Sequence, residues 1–436
     1  MTEPAVSAEP ARGQRIVARV LSIASANALV AVLGFVGNGI LLPNALDQTA
    51  FAAASLFLAA FQWGQELMGR SLNWAVLRLW PVAERERGGG GDAAVRSAWS
   101  LQKRLLGFGL GVSFVIALVL RMFVDQTDQP SRSALLGCAA VASALGVVFW
   151  FQLGRLQLRE RFLPMSLLMI ANSSVRIAAW ALLWTTGALS LWTAVIAHLV
   201  STALLAALAS RRAGALPGKA QGFDEARERA RLWGFSGRMI VATAFAATAA
   251  QIDLFLLDAQ SDDAATARLR IAVLFATALE LATSATMTVL LPQAGRVMTS
   301  DDLRAMLRRA RVCGLAIAAL AAASVPVVAY ALPRLLPRYA DAAELYPIVC
   351  IGTAITAATD PLGLSFVSRD KPGRFVLLAS LMLAVVVFGN LFVPGDDRAQ
   401  VTAWVRTAGR IALGAGIVWL VLRDAQADRR AAAPSC

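Results

Sequence analysis

Four arginines stand inside otherwise apolar stretches of this sequence: Arg176, Arg238, Arg406 and Arg410. Two carboxylates, Asp253 and Glu280, share that setting. A charge at mid-depth in hydrocarbon costs at least ~2.5–3.5 kcal/mol on insertion scales, so it is kept where it faces a cavity, a substrate or a partner. A guanidinium stays protonated, and its fork matches two phosphate oxygens at once. Arginine is therefore the residue type that would hold an anionic, phosphate-bearing substrate in a low-dielectric region.

Arg176 sits near the middle of its apolar run, beside Asn172, Ser173 and Ser174. Arg238 lies about a turn and a half into its own run. These two, with Asn172 and Asn27, are the candidate substrate-binding residues. Glu280, Asp253, Arg406 and Arg410 allow two readings, a coupling site or ion pairs between helices. One such pair would join Glu280 to Arg238 or Arg176. Arg406 and Arg410 are one helical turn apart, and a place at the outer membrane interface is also open to them. Glu66 and Arg70 have the same spacing and read as a local helix pair.

Other chemistries find little support. The one histidine, His198, has no second His or Cys near it and reads first as a packing residue. Cys138, Cys313, Cys350 and Cys436 make no CxxC spacing. There is no nucleophile elbow and no GxxxxGK[ST] loop, so no enzyme, no cofactor and no metal are expected. The net charge is +13, but no nucleic-acid recognition motif accompanies it. The N-terminus has no short apolar core with a cleavage site, and no cleaved signal peptide is expected.

The elements that must position these residues follow from composition. Of the 436 residues, 58% are hydrophobic and only 16% charged, and the mean hydropathy is +0.61. Soluble domains are about half apolar and a quarter charged. Apolar runs near 20 residues recur, the length that crosses about 30 Å of hydrocarbon as a helix. They lie at 19–42, 49–69, 105–124, 133–153, 163–187, 190–210, 232–257, 267–293, 312–333, 344–367, 375–393 and 402–422. The fold class expected is an all-α polytopic membrane protein with twelve spans.

Basic residues crowd into alternate connections, notably Arg70–Arg104, Arg211–Arg231 and Arg296–Arg311. The positive-inside rule then places both termini in the cytoplasm. The expected layout is a tail at 1–18, a first lobe at 19–210, a linker at 211–231, a second lobe at 232–422 and a tail at 423–436. Span two could extend as a helix through Arg78. Gly88–Gly91 reads as a flexible linker, and Thr299–Arg311 as a helix lying on the membrane surface. In span one, Asn27 and Asn38 with Gly34, Gly37 and Gly39 suit helix contacts or bending.

The halves echo each other. Ser55–Ala60 (SLFLAA) resembles Val273–Ala278 (VLFATA), and at the same offset Arg78 falls on Arg296. Six spans of equal orientation in each half suggest parallel lobes related by an axis along the membrane normal.

Three segments resemble polysaccharide flippases. Gln251–Glu280 (QIDLFLLDAQSDDAATARLRIAVLFATALE) is similar to their seventh and eighth helices. Arg338–Lys371 is similar to the tenth-helix region, and Ala50–Arg78 to the second helix and its extension. The resemblance is to the polysaccharide transporter (Wzx-like) branch of the multidrug/oligosaccharidyl-lipid/polysaccharide exporter superfamily. It implies translocation of an undecaprenyl-diphosphate-linked oligosaccharide between leaflets. It also implies alternating access of two MATE-like lobes around a cationic cavity, driven by an ion gradient or the membrane potential. Lipid-linked oligosaccharide and the bilayer are the implied partners, with polysaccharide polymerase machinery as a further candidate. Two departures stand out: Gln48-Thr49-Ala50-Phe51 replaces a common Gly-Tyr pair, and no helices follow the twelfth, unlike fourteen-helix lipid II flippases.

Three rivals remain open. A MATE-type multidrug or metabolite antiporter should carry cavity carboxylates, which span one lacks. A major-facilitator carrier should carry a GxxxDRxGRR-like loop, which Arg70–Arg87 does not match. A non-transporting partner of a polymerase would keep complex formation without transport.

Overall fold

The computed structural model describes residues 25–86, 90–123, 131–216, 225–259, 262–294, 300–368, 371, 373–391 and 397–432. Among them every regular element is helical. The first lobe holds α1 (Ser25–Ala45), α2 (Gln48–Leu67), α3 (Leu72–Glu86), α4 (Gly90–Phe123), α5 (Arg132–Leu158), α6 (Phe162–Thr185) and α7 (Leu191–Ala213). The second holds α8 (Glu225–Ala259), α9 (Asp263–Ala294), α10 (Ser300–Leu335), α11 (Ala342–Thr359), α12 (Leu364–Ser368), α13 (Gly373–Leu391) and α14 (Arg398–Ala432). Ten helices are long and apolar enough to cross a membrane. The long α2 and α9 complete twelve. The chain is a multi-pass all-α membrane protein, and α3 and α12 are short helices at its basic end.

Local chemistry sets the ends. Asp47 caps α2 by accepting from the Ala50 amide at 2.7 Å. Ser190 and Thr193 form a reciprocal capping box at the start of α7. At the other end of α7 the last carbonyls are met by arginines. Arg155 donates to the carbonyls of Gly214 at 3.1 Å and Ala215 at 2.6 Å, and Arg159 to that of Ala213 at 2.8 Å. Carbonyls that a helix end leaves unpaired are thus satisfied by positive charge, which the helix dipole also favours.

Three expectations about connections are corrected. Span two does not run through Arg78: the chain turns at Gly69, whose φ of +87° suits glycine, and a separate α3 follows. Gly90 and Gly91 belong to α4 rather than to a linker, while 87–89 lie outside the described residues. Residues from Ser300 onward form one continuous helix with span nine, so they are the first turns of α10 and not a separate helix; Thr299 lies outside the described residues. Arg12, Arg15, Arg19 and Cys436 also lie outside them.

The two echoing segments meet in one core. Ser55–Ala60 and Val273–Ala276 are all buried, and α2 packs against α8 and α9. Between helices in lipid, close van der Waals contact supplies the attraction, and small residues permit it. At Gly314 on α10 a Cβ would stand 2.7 Å from the Ala358 Cα, so only glycine lets α10 and α11 approach this closely. Outward, α4 presents Phe108, Phe114 and Met122, each well exposed, as expected of a face that meets lipid chains.

At the end opposite the basic connections the lobes touch. Arg132 at the start of α5 pairs with Asp258 at the end of α8 at 2.9 Å. Arg338 donates to the Leu46 carbonyl at 3.0 Å, and Asn44 to the Leu335 carbonyl at 3.3 Å. Deeper in, Trp63 donates to Thr248 at 2.8 Å and Gln251 to Gln62 at 3.1 Å.

Candidate functional site

The charges in the second lobe form a ladder across three helices. Arg406 on α14 donates to Asp253 on α8 at 2.6 Å, and also to the Ala250 carbonyl at 2.7 Å. One turn further along α14, Arg410 pairs with Glu280 on α9 and donates to Thr353 on α11 at 2.6 Å. These are ion pairs between helices, as one of the two readings held. Glu280 does not reach Arg238 or Arg176 among the described residues, and Arg406 and Arg410 are both buried between helices. In low dielectric such a pair must be kept whole, because removal of one partner leaves an uncompensated charge.

The ladder has further members that sequence reasoning passed over. Arg270 on α9 is 3% exposed. It interacts electrostatically with Asp253, Glu280 and Arg406, yet it makes no hydrogen bond among the described residues, and its Nε is buried without an acceptor. Asp360 begins the 3₁₀ turn that follows α11 and interacts with Arg410 and Glu280. The signal for Arg270 was its setting between Leu269 and Ile271 at the head of an apolar run.

The first lobe holds Arg176 on α6. Its guanidinium lies over the Trp180 ring, 5.4 Å from the centroid, and its Nε is buried without a hydrogen-bond acceptor. His198 on α7 is close enough to feel that charge. The imidazole is fully buried between Phe57, Phe61 and Trp180, with neither ring nitrogen hydrogen-bonded. Packing is what this surrounding provides. Against the same part of α6 lies a stretch of α1 wound as a π-helix, Val36–Leu41. It contains Gly37, Asn38 and Gly39, and a Cβ at Gly37 would stand 2.8 Å from the Ile177 side chain. π segments are rare and recur at functional sites.

Asn172 and Asn27 are half-buried on α6 and α1. Arg238 is exposed on α8 and makes no ion pair among the described residues, and no contact joins it to Arg176. Glu66 and Arg70 form the local pair expected, at 3.4 Å, and Arg70 also stacks over Trp150.

The long apolar helices and the ion pairs buried between them define the class: a polytopic membrane protein of the MATE-like fold. Solved structures of this shape share it along nearly their whole length. The MATE transporter VcmN of Vibrio cholerae is similar over 95% of this chain and 98% of its own, with a TM-score of 0.68 and 15% identity. The lipid II flippase MurJ in an inward closed conformation is similar over 93% and 87%, with a TM-score of 0.66 and 10% identity. A MATE family multidrug transporter of the MOP superfamily, in an outward-facing conformation, gives 94%, 96%, 0.60 and 14%. No protein with a curated description matches the sequence. The family described as "Polysaccharide biosynthesis protein" matches residues 16–298, and the chain belongs to it.

Proposed function

We propose that this protein flips an undecaprenyl-diphosphate-linked oligosaccharide across the bacterial inner membrane for surface polysaccharide biosynthesis. The observation that carries this reading is Arg176: a guanidinium inside a spanning helix, with no carboxylate partner among the described residues, in a chain of the polysaccharide biosynthesis family. A diphosphate must cross a region where bare negative charge is strongly disfavoured. A fixed guanidinium offsets that desolvation and can grip two oxygens. The polyprenyl tail stays in lipid while the head group passes between the lobes. Arg238, exposed toward the basic end, would make an earlier contact, and Asn172 and Asn27 would meet sugar hydroxyls. The lobes rock, with the contacts at Arg132–Asp258 and Arg338–Leu46 closing the non-cytoplasmic side. Both termini then lie in the cytoplasm, and the chain transports without making or breaking a covalent bond.

The test is flipping of a fluorescent lipid-linked oligosaccharide by the purified protein in liposomes. Arg176→Ala should lower the rate by about tenfold or more, the scale of one lost charge-assisted contact, and Arg176→Lys should retain part of it. Full flipping by Arg176→Glu would refute the role given to Arg176.

A further inference from the structure

Three charges of the second lobe share one depth. Arg270 stands about 10 Å from the start of α9, Asp253 about 9 Å from the end of α8, and Arg406 about 12 Å from the start of α14. These three helices pack against one another in every pairing. Two guanidinium groups therefore share a layer with one carboxylate, and that carboxylate is fully engaged. One Asp253 oxygen accepts from Arg406 at 2.6 Å and the other from the Leu254 amide at 2.9 Å. Neighbouring acids are held elsewhere. Glu280 lies about 15 Å further along α9 and pairs with Arg410. Asp258 pairs with Arg132 at 2.9 Å, and Asp262 accepts from the Ala265 amide at 2.8 Å. The layer carries one positive charge in excess.

Donors without acceptors collect in the same place. The Nε atoms of Arg270 and Arg406 and the hydroxyls of Thr266 and Thr402 are buried with no hydrogen-bond partner among the described residues. All four side chains are more than nine-tenths buried. Thr266 precedes Arg270 by one turn on α9, and Thr402 precedes Arg406 by one turn on α14, so each hydroxyl shares a helix face with a guanidinium. The charge of Arg406 acts on Arg270 where these helices meet. Buried donors are normally paired, and an unbalanced charge in low dielectric is strongly disfavoured. What the four groups lack in common is one acceptor with a single negative charge. The turns that carry them are tightly packed, with Ala267, Leu269, Ala399 and Ala403 fully buried. That setting favours a single atom over a phosphate or a carboxylate.

We propose that the second lobe binds a chloride ion between α9 and α14, held by Arg270 and Arg406 with the hydroxyls of Thr266 and Thr402. The ion makes the layer neutral, with two guanidinium groups set against Asp253 and one halide. A dianion would overshoot that balance. The guanidinium groups stay protonated throughout, and a hydroxyl donates to a halide as readily as to a carbonyl. One ion meets donors from two helices at once, so it fastens α9 to α14 as the Arg406–Asp253 pair fastens α14 to α8. The role is structural, and it stands whether or not the cargo is a lipid-linked glycan.

Equilibrium dialysis of radioactive chloride against the full-length protein in detergent, with gluconate holding the ionic strength constant, counts the ion. Wild type should bind one chloride per chain, and bromide should compete for it. Thermal unfolding gives a second reading: replacing gluconate by chloride should raise the wild-type unfolding temperature, because the ion binds only the folded chain. Arg270→Gln should abolish both the binding and the rise. The double variant Thr266→Val with Thr402→Val keeps shape and charge, and it should weaken chloride binding by about tenfold or more. It also decides the matter if Arg270→Gln does not fold. Arg211→Gln removes one exposed positive charge and should bind chloride as wild type does. A wild type that binds no chloride overturns the proposal. Binding and a temperature rise that persist at full strength in the threonine variant overturn it as well, since the ion then lies at another arginine.

Discussion

Arg406 on α14 and Asp253 on α8 meet at 2.6 Å, with side chains 3% and 0% exposed. This pair ties the first helix of the second lobe to its last. Asp253→Asn leaves Arg406 without its ion-pair partner in the buried interior of the lobe. The variant should lose stability by about 3–5 kcal/mol in the manner of a broken buried pair, or less if lipid-facing states find other partners. Thermal unfolding in detergent measures it. The double change Asp253→Asn with Arg406→Gln should cost less than the sum of the single changes, since no unpaired charge at that position remains. Strict additivity would mean the pair is not coupled.

His198 invites the opposite expectation. Its ring sits among Phe57, Phe61 and Trp180 with both nitrogens unbonded. A buried donor without an acceptor costs about 1–3 kcal/mol. His198→Phe should therefore keep flipping activity and hold or raise the unfolding temperature. Loss of transport in a folded His198→Phe protein would give the imidazole a role beyond packing.

Arg155 serves the end of α7. It is buried and donates to Gln152 at 2.8 Å as well as to the carbonyls of Gly214 and Ala215. Arg155→Ala should destabilise by about 2–3 kcal/mol, the scale of hydrogen bonds to a charged group. Arg211→Ala, an exposed residue on the same stretch, should lie within about 0.5 kcal/mol of wild type. Equal effects would argue that the carbonyl contacts of Arg155 contribute nothing.

The Arg132–Asp258 pair bridges the lobes at the non-basic end. Asp258→Asn should weaken that contact by about 1 kcal/mol, so the population open at this end should rise by roughly fivefold. Spin labels on the ends of α5 and α8 would report it as a longer distance component. An unchanged distance distribution would show that other contacts hold the lobes together.

The fold was legible because hydrocarbon imposes a length on every span and the arginines mark one side. Ser55–Ala60 and Val273–Ala276 could be matched because both must fill the same core. The pairing of charges was not legible. Arg410 and Glu280 are 130 residues apart and Arg406 and Asp253 are 153 apart, and nothing local selects one partner over another. Arg270 was passed over because Arg268 beside it made the start of α9 look like a basic connection. Asp360 was hidden by Pro361, which gave it the look of a turn at the membrane edge. Turn chemistry also decided the second connection, where Gly69 ends α2 before α3 begins, while hydropathy alone continued the helix.

The central claim is that the cargo is a lipid-linked glycan. The most direct measurement is flipping by the wild-type protein in liposomes of a fluorescent undecaprenyl-diphosphate oligosaccharide, with uptake of an organic cation followed in parallel. The account predicts movement of the glycan lipid between leaflets, competition by unlabelled undecaprenyl-diphosphate glycan, and no cation uptake. Cation uptake without flipping would contradict it and make the chain a multidrug-type antiporter.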